Sequence, residues 1–455
     1  MRPAVLSIYL PALLSAGSLV PTPAAQAISA APPRPTGRAV PVVADTMTTK
    51  FVAAGIPVIL RRVASNEVVT ANVYLLGGVR QTTAETEGIE PFLLDVSERG
   101  TTHASRDALR QAIARLGTQI GVEPDVDWTA FRVQATVRTF DPTWAVMADR
   151  LMFPAIDSGG VEFVRQQYLS GVRQRRDSPD ALVSELADSM AYQGTPYDRS
   201  ISGTAQSIAG FTRAMLRRYA TTQIVRSRIL VVVVGNVTRA QVTHLVVSTI
   251  GRLPLGTYHW TIPPAPGPGT PELAEAQRSL PTNYILGYYH GPAANSPDYH
   301  ALRVATAALE GELFGVIRSE RHLSYAVEAP FVDHALTAGG FYVTTEFPDT
   351  TLALMRTEVK RLQTEDVNPR ALDRLVQLFI TQYFLDNETN ADQANFLVRA
   401  QLYRGDYREA DRFVDELRAV SPADVQRVAR TYMRGVAFAY VGDTTKLSPA
   451  VVAGW

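Results

Sequence analysis

Catalysis in a chain of 455 residues needs groups that hold a metal, move a proton or attack a bond, and this sequence is sparing with them. It has no cysteine, which excludes disulfides, thiolate nucleophiles and cysteine-held zinc. Its seven histidines are His103, His244, His259, His290, His300, His322 and His334. No two stand three or four residues apart, so no pair shares a helix turn as a helical zinc site requires. The segment Pro91-Phe92-Leu93-Leu94-Asp95 offers one carboxylate, too few ligands for catalytic zinc. By itself Asp95 reads as a solvated or capping acid at a helix. A second constellation lies in "FGVIRSERHLSYAVEAPF", where Arg318 and Tyr325 stand seven residues apart. A tyrosine hydroxyl can donate to a carbonyl oxygen as it gains negative charge, and a guanidinium can hold peptide carbonyls. By type alone the two residues read better as an exposed helix arginine and a half-buried strand tyrosine.

The elements around these residues are mixed. "VVTANVYLLGG" and "AFRVQATVRTF" alternate or run apolar, as strands do. "RDALRQAIARLG" puts Leu109, Ala112, Ile113 and Leu116 on one helical face, with Ser105 as cap and Gly117 as stop. "SPADVQRVARTYMRG" opens on Ser421 with Pro422 at the first turn and Asp424 three residues on, and ends at Gly435. Strands in hairpin-like pairs between long amphipathic helices predict an α+β fold, an antiparallel sheet with helices packed mainly on one face.

That pattern occurs twice. "YLLG" at Tyr74 returns as "YILG" at Tyr284, "FDPT" at Phe140 as "FPDT" at Phe347, and "VVVVGNVT" places Gly235 where "FAYVGDTT" places Gly442. The offsets are 210, 207 and 207, in the same order. The sequence therefore predicts two homologous domains, 47–253 and 276–446, joined by a Pro/Gly-rich linker over 254–275 that cannot form a helix or a central strand.

The first residues, "MRPAVLSIYLPALLSAGSLVPTPAAQA", carry Arg2, a broken apolar stretch and the small-x-small triplet Ala25-Gln26-Ala27. They read as a signal peptide over 1–27 followed by a disordered leader over 28–46, and so as an exported, periplasmic or extracytoplasmic protein. No later stretch is long and apolar enough to span a membrane. Lys plus Arg and Asp plus Glu are both 44, and that balance does not favour nucleic acid. The basic run Arg173–Arg176 reads as a solvated helix face.

A duplicated α+β domain behind an export signal resembles the pitrilysin/insulinase family of zinc peptidases. In that family the first domain carries His-x-x-Glu-His on a helix after the opening strands, and a further Glu ligand follows some 75 residues on. Aligned on "YLLGGVRQTTAETEGIEPFLLD", the motif positions are Pro91, Leu94 and Asp95. The further ligand falls at Gly171, within "RQQYLSGVRQRRDSPDAL", where Arg165 keeps the family pattern. These four are degenerate metal-site positions, and no metal is expected in this chain. "LGTQIGVEPDVDWTAFRVQATV" resembles the edge hairpin on which family members pair a substrate strand, although Gly121-Val122 replaces the usual Asn-Ala. "FGVIRSERHLSYAV" resembles the segment whose arginine and tyrosine reach the substrate, which maps to Arg318 and Tyr325.

The resemblance implies a non-catalytic subunit of an exported heterodimeric zinc peptidase acting on unfolded peptides. Zinc would sit in the partner subunit, and this chain would supply half of a chamber together with Arg318 and Tyr325. The isolated chain is then not expected to be an enzyme. The alternative is a degenerate homologue serving as a scaffold or peptide-binding protein, with no part in catalysis.

Overall fold

Two six-stranded sheets organise the chain, and four strands of each follow the same topology. The computed structural model describes residues 48–455; the expected signal peptide and leader lie outside the described residues. The first sheet contains β1 (Thr48–Ala53), β2 (Ile56–Arg62), β3 (Val68–Leu76), β4 (Gln119–Pro124), β5 (Trp128–Thr136) and β6 (Ile229–Gly235), in the order β1-β2-β6-β3-β5-β4. The second contains β7 (Glu272–Gln277), β8 (Asn283–Ala293), β9 (Val327–Glu328), β10 (Phe331–Val332), β11 (Leu336–Thr345) and β12 (Ala437–Gly442), in the order β10-β11-β8-β12-β7, with β9 also on β11. Thus β2, β6, β3 and β5 recur as β7, β12, β8 and β11.

The expected all-antiparallel sheets need correction. β2 runs parallel to β6, with Val58 opposite Val231, and β7 runs parallel to β12, with Glu272 opposite Ala437. The other pairings are antiparallel. Strands joined by a tight turn must be antiparallel, but β2 and β6 meet only after nearly the whole first half has folded. The run "ILVVVVG" is buried along its full length, and such a run carries no mark of strand direction.

Helices α1 (Ile89–Val96), α2 (Arg106–Leu116), α3 (Phe140–Met152), α4 (Ser158–Asp177), α5 (Pro179–Ala191), α6 (Ala205–Gly210), α7 (Arg213–Gln223) and α8 (Arg239–Ser248) belong to the first half. The second half has α9 (Tyr299–Leu313), α10 (Pro348–Thr364), α11 (Pro369–Asp386), α12 (Asn390–Tyr403), α13 (Phe413–Arg418), α14 (Pro422–Tyr432) and α15 (Pro449–Ala453). Several ends follow the sequence. Ser105 accepts the Ala108 N–H at α2, which stops at Gly117 with φ +60°. Ser421 and Asp424 form a reciprocal capping box on α14.

Alternation in the strands buries both faces of the first sheet. Ile229, Val231 and Val233 of β6 face the core made with that half's own helices. Leu230, Val232 and Val234 face a second core, shared with Leu397, Val398 and Tyr403 of α12. So α12, from the second half, lies on β3 and β6, while α5, from the first half, lies on β8 and β12 through Val183 and Ala187. Asn390 fixes the start of α12, its side-chain N–H donating to Val68 O at 2.7 Å. The second sheet begins at Glu272, inside the stretch read as linker, and α15 runs past residue 446. Residues ahead of β7 are held down: Trp260 donates to Leu402 O at 3.0 Å and lies under the Arg80 guanidinium.

Candidate functional site

Pro91, Leu94 and Asp95 lie on α1, and Gly171 lies on α4, which packs against it. The fold therefore brings together the two segments whose spacing resembles a metal site. Their chemistry does not fit one. Pro91 and Leu94 are buried among apolar groups with no ligand atom, and Gly171 has no side chain. Asp95 is the one remaining ligand type, and its Oδ2 accepts the Tyr168 hydroxyl at 2.6 Å. The Tyr168 ring meets Phe92 edge-on at 5.2 Å. Asp95 is thus no solvated acid. Burial pushes its carboxyl up to about 6, partly opposed by the Tyr168 hydrogen bond, because removing water penalises the charged form. Below it the buried Arg150 bonds Ser97 Oγ at 3.2 Å and Glu98 at 3.2 Å. A single half-buried carboxylate tied to a phenol cannot supply the three protein ligands of a catalytic zinc. Arg165 has a structural role: it donates to Ala209 O at 3.0 Å and Phe211 O at 2.7 Å, satisfying carbonyls at the end of α6.

In the second half, α9 passes directly into a π-helical turn over Phe314–Glu320. Such a turn is rarely adopted and often marks a functional position. His322 follows with φ +55°, strained backbone for a residue with a Cβ. This segment brings Arg318 and Tyr325 together: the guanidinium sits over the Tyr325 ring at 4.0 Å, with Phe314 at 4.8 Å on another side. Tyr325 is 80% exposed, so the half-buried strand tyrosine read from its type alone is wrong.

One cluster escaped sequence reasoning. Asp125, Asp127 and His334 bring their ligand atoms within 4.8 Å of one another. Asp125 and Asp127 come from the β4–β5 turn, and His334 from the residues just before β11. Asp127 is fully buried, and its lone pairs are already used. Oδ1 accepts Tyr197 OH at 2.5 Å and Arg80 at 3.4 Å; Oδ2 accepts the Ala335 N–H at 2.9 Å and Tyr403 OH at 2.8 Å. Asp125 faces Arg399 and His334, each at 3.6 Å. Two guanidiniums offset two carboxylates, so the donor set suits an electrostatic tie between the halves better than a cation. Asp127 and Tyr403 stand 276 positions apart, so no local spacing signals the cluster; only the fold joins them.

The β4–β5 hairpin matches the edge hairpin seen in the sequence, with β4 at the end of its sheet, paired on one side to β5. Six-residue β4 is largely exposed, and α1 touches both β4 and α4.

Two family descriptions match the chain. Insulinase (Peptidase family M16) matches residues 57–205, and Peptidase M16 inactive domain matches 210–379; together they take in more than half of the chain. A probable mitochondrial-processing peptidase subunit beta of Schizosaccharomyces pombe is 25% identical over 282 residues, covering 60% of this chain and 61% of that protein. Subunit 1 of the bovine (Bos taurus) mitochondrial cytochrome b-c1 complex is 22% identical over 250 residues, covering 54% of this chain and 52% of that protein. The chain thus spans about half to three fifths of the length of these curated relatives. The crystal structure of a peptidase M16 inactive domain from Pseudomonas fluorescens superposes with a TM-score of 0.81 at 17% identity, covering 88% of this chain and all of that one. From the matched descriptions, the shared fold and the substituted motif positions, the chain belongs to the M16 (insulinase) family of peptidases, as a member without the His-x-x-Glu-His zinc motif.

Proposed function

We propose that this chain is the non-catalytic subunit of an exported heterodimeric zinc metallopeptidase that degrades unfolded peptides. It supplies half of the chamber and the substrate-binding groups Arg318 and Tyr325, while a homologous partner carries the zinc. One observation carries this reading: Arg318 and Tyr325 are held together on a π-helical, positive-φ segment, with Tyr325 exposed and neither side chain making a hydrogen bond or ion pair among the described residues. A strained segment presenting two unspent polar groups fits recognition of a carbonyl better than packing. The name of the S. pombe relative, a probable mitochondrial-processing peptidase subunit beta, agrees with a chain that works as one subunit of a peptidase. A closed chamber would exclude folded chains, hence unfolded peptides as substrates. Within this reading, residues 47–253 and 276–446 are the two family domains and 1–27 the export signal.

Co-incubation with the zinc-bearing partner is expected to raise peptidase activity above that of either chain alone. Tyr325→Phe should lower kcat of the mixture on the order of a hundredfold, as expected for losing one oxyanion donor. Activity unaffected by the added chain, or by the substitution, refutes the proposal. The second reading, a scaffold with no part in catalysis, is favoured by the likeness to a respiratory-complex subunit. It predicts that replacing both Arg318 and Tyr325 by Ala leaves function intact.

A further inference from the structure

α5 covers only part of the second sheet. It lies on β7, β8 and β12, and the same face continues past it onto β11 and β9. There Tyr342 stands opposite Leu286, which packs under α5, and on its other side opposite Glu328. The Tyr342 hydroxyl donates to Asp180 near the start of α5. Next along the face, the Tyr288 ring lies across Gly340, where a Cβ would come 2.7 Å from it. Asp188 is two turns beyond Asp180 on the same side of α5. Tyr288 lies within the field of both Asp188 and Glu328. The result is a groove with β11 as its floor, the flank of α5 as one wall and β9 as the other.

Its charges have no counterpart. Buried carboxylates elsewhere are matched, Glu90 by Arg228 at 2.9 Å and Asp333 by Arg399 at 3.3 Å. Asp188 and Glu328 form no hydrogen bond or ion pair among the described residues, and no lysine or arginine acts on either. Asp188 reaches water, yet protein surrounds it closely enough that loss of solvent pushes its carboxyl up to about 6, against the pull of His334. Glu328 is pushed up too, first by burial and then by Asp180. A second observation is independent of these charges. Tyr192, one turn beyond Asp188, is 5% exposed, and its hydroxyl has no hydrogen-bond partner among the described residues. Asp188 is the charge that acts on it most. A buried hydroxyl left without a partner is costly. Water can satisfy the hydroxyl, but it leaves the two carboxylates unopposed. A guanidinium or ammonium over the Tyr288 ring would meet both carboxylates and donate to the Tyr192 hydroxyl.

We infer that the groove between α5 and β9–β11 binds a basic side chain, arginine or lysine, of an extended peptide, held by Asp188, Glu328 and the Tyr192 hydroxyl. This deepens the reading of the chain as a peptide-handling subunit and rests on it. The groove makes this chain selective among unfolded peptides, whichever subunit performs the cleavage.

The test is fluorescence anisotropy with the isolated full chain and fluorescein-tagged, amidated Gly/Ser peptides of one length that differ only in a central Arg, Gln or Glu. The Arg peptide is expected to bind about tenfold more tightly than the Gln peptide, the worth of a charge-assisted hydrogen bond, and the Glu peptide most weakly. The Arg preference should vanish when Asp188→Asn and Glu328→Gln are combined. It should persist in Asp415→Asn, which removes an 81% exposed carboxylate on α13 and so controls for net charge. Equal binding of the Arg and Gln peptides overturns the groove and leaves Arg318 and Tyr325 to be judged by activity with the partner. An Arg preference that survives the double variant, or that falls as far in Asp415→Asn, also overturns it. Failure of every peptide to bind overturns both the groove and peptide binding by this chain.

Discussion

Removing the Asp127 carboxylate should loosen the join between the two halves. Four donors converge on it: Tyr197 OH, Arg80, the Ala335 N–H and Tyr403 OH. They come from both halves of the chain, and the residue is fully buried. In Asp127→Ala each stranded buried donor costs about 1–3 kcal/mol. Relaxation and entering water recover part of this, so the expected loss is about 3–5 kcal/mol. Asp127→Asn should cost less, about 1–2 kcal/mol. The Ala335 N–H can only donate, so the amide oxygen must face it, and the amide NH2 then meets Tyr197 and Arg80. The Tyr197 hydroxyl can turn to accept, leaving Arg80 as the lost partner. Urea denaturation followed by fluorescence measures both. With a slope of about 3 kcal/mol per molar, the Asp127→Ala midpoint falls by about 1 M or more. The exposed pair Arg418–Asp415, 3.5 Å apart, gives the control: Arg418→Ala should change stability by less than about 0.5 kcal/mol. An Asp127→Ala shift no larger than the control would refute the tie. So would a zinc-induced rise of the wild-type midpoint that is lost in Asp127→Ala, since the cluster would then be a cation site.

The remaining predictions concern the vacated motif and the backbone. Asp95 has its folded carboxyl raised to about 6, against about 3.9 in an unfolded chain. Below pH 4 both states are protonated and the group contributes nothing; as pH rises from 4 to 6 only the unfolded state gives up its proton, and stability falls. Asp95→Asn, which can still accept from Tyr168, should therefore gain about 2–3 kcal/mol at pH 7 and almost nothing at pH 4; urea midpoints at the two pH values check this, and a loss at pH 7 would contradict it. Gly435 has φ +64°, and a Cβ there would lie 2.0 Å from Gly269 O, whereas Gly117 has φ +60° with open space. Gly117→Ala should cost about 1 kcal/mol from backbone strain alone, and Gly435→Ala at least about 2 kcal/mol more; equal losses would show that the Gly269 approach relaxes freely.

Much of the architecture was legible because it is local. The α2 and α14 caps, the β4–β5 hairpin and the repeated strand segments follow from side chains within a few residues of the backbone they act on. The expected apolar face of α2 was only partly so: Leu109 is buried, while Ala112, Ile113 and Leu116 stay half-exposed, because the helix touches little beyond α3 and the turn after α1. The direction in which β2 meets β6 and β7 meets β12 was illegible, since the fully buried runs of β6 and β12 pair equally well either way. The candidate site divided in the same manner. The loss of imidazoles at Pro91 and Asp95 is a matter of residue type. What replaced them, the Tyr168–Asp95 bond, joins side chains 73 positions apart.

By itself the sequence determined that this chain has two related α+β halves, no paired histidines and no thiol, and hence no helical zinc motif. Residue types, short spacings and repeats are properties of the chain read in order. Only the tertiary structure decided that α5 and α12 each cover the other half's sheet and that Asp127 gathers four donors. Those outcomes depend on which distant surfaces bury one another, and the burial of apolar area that selects them carries no label of sequence position.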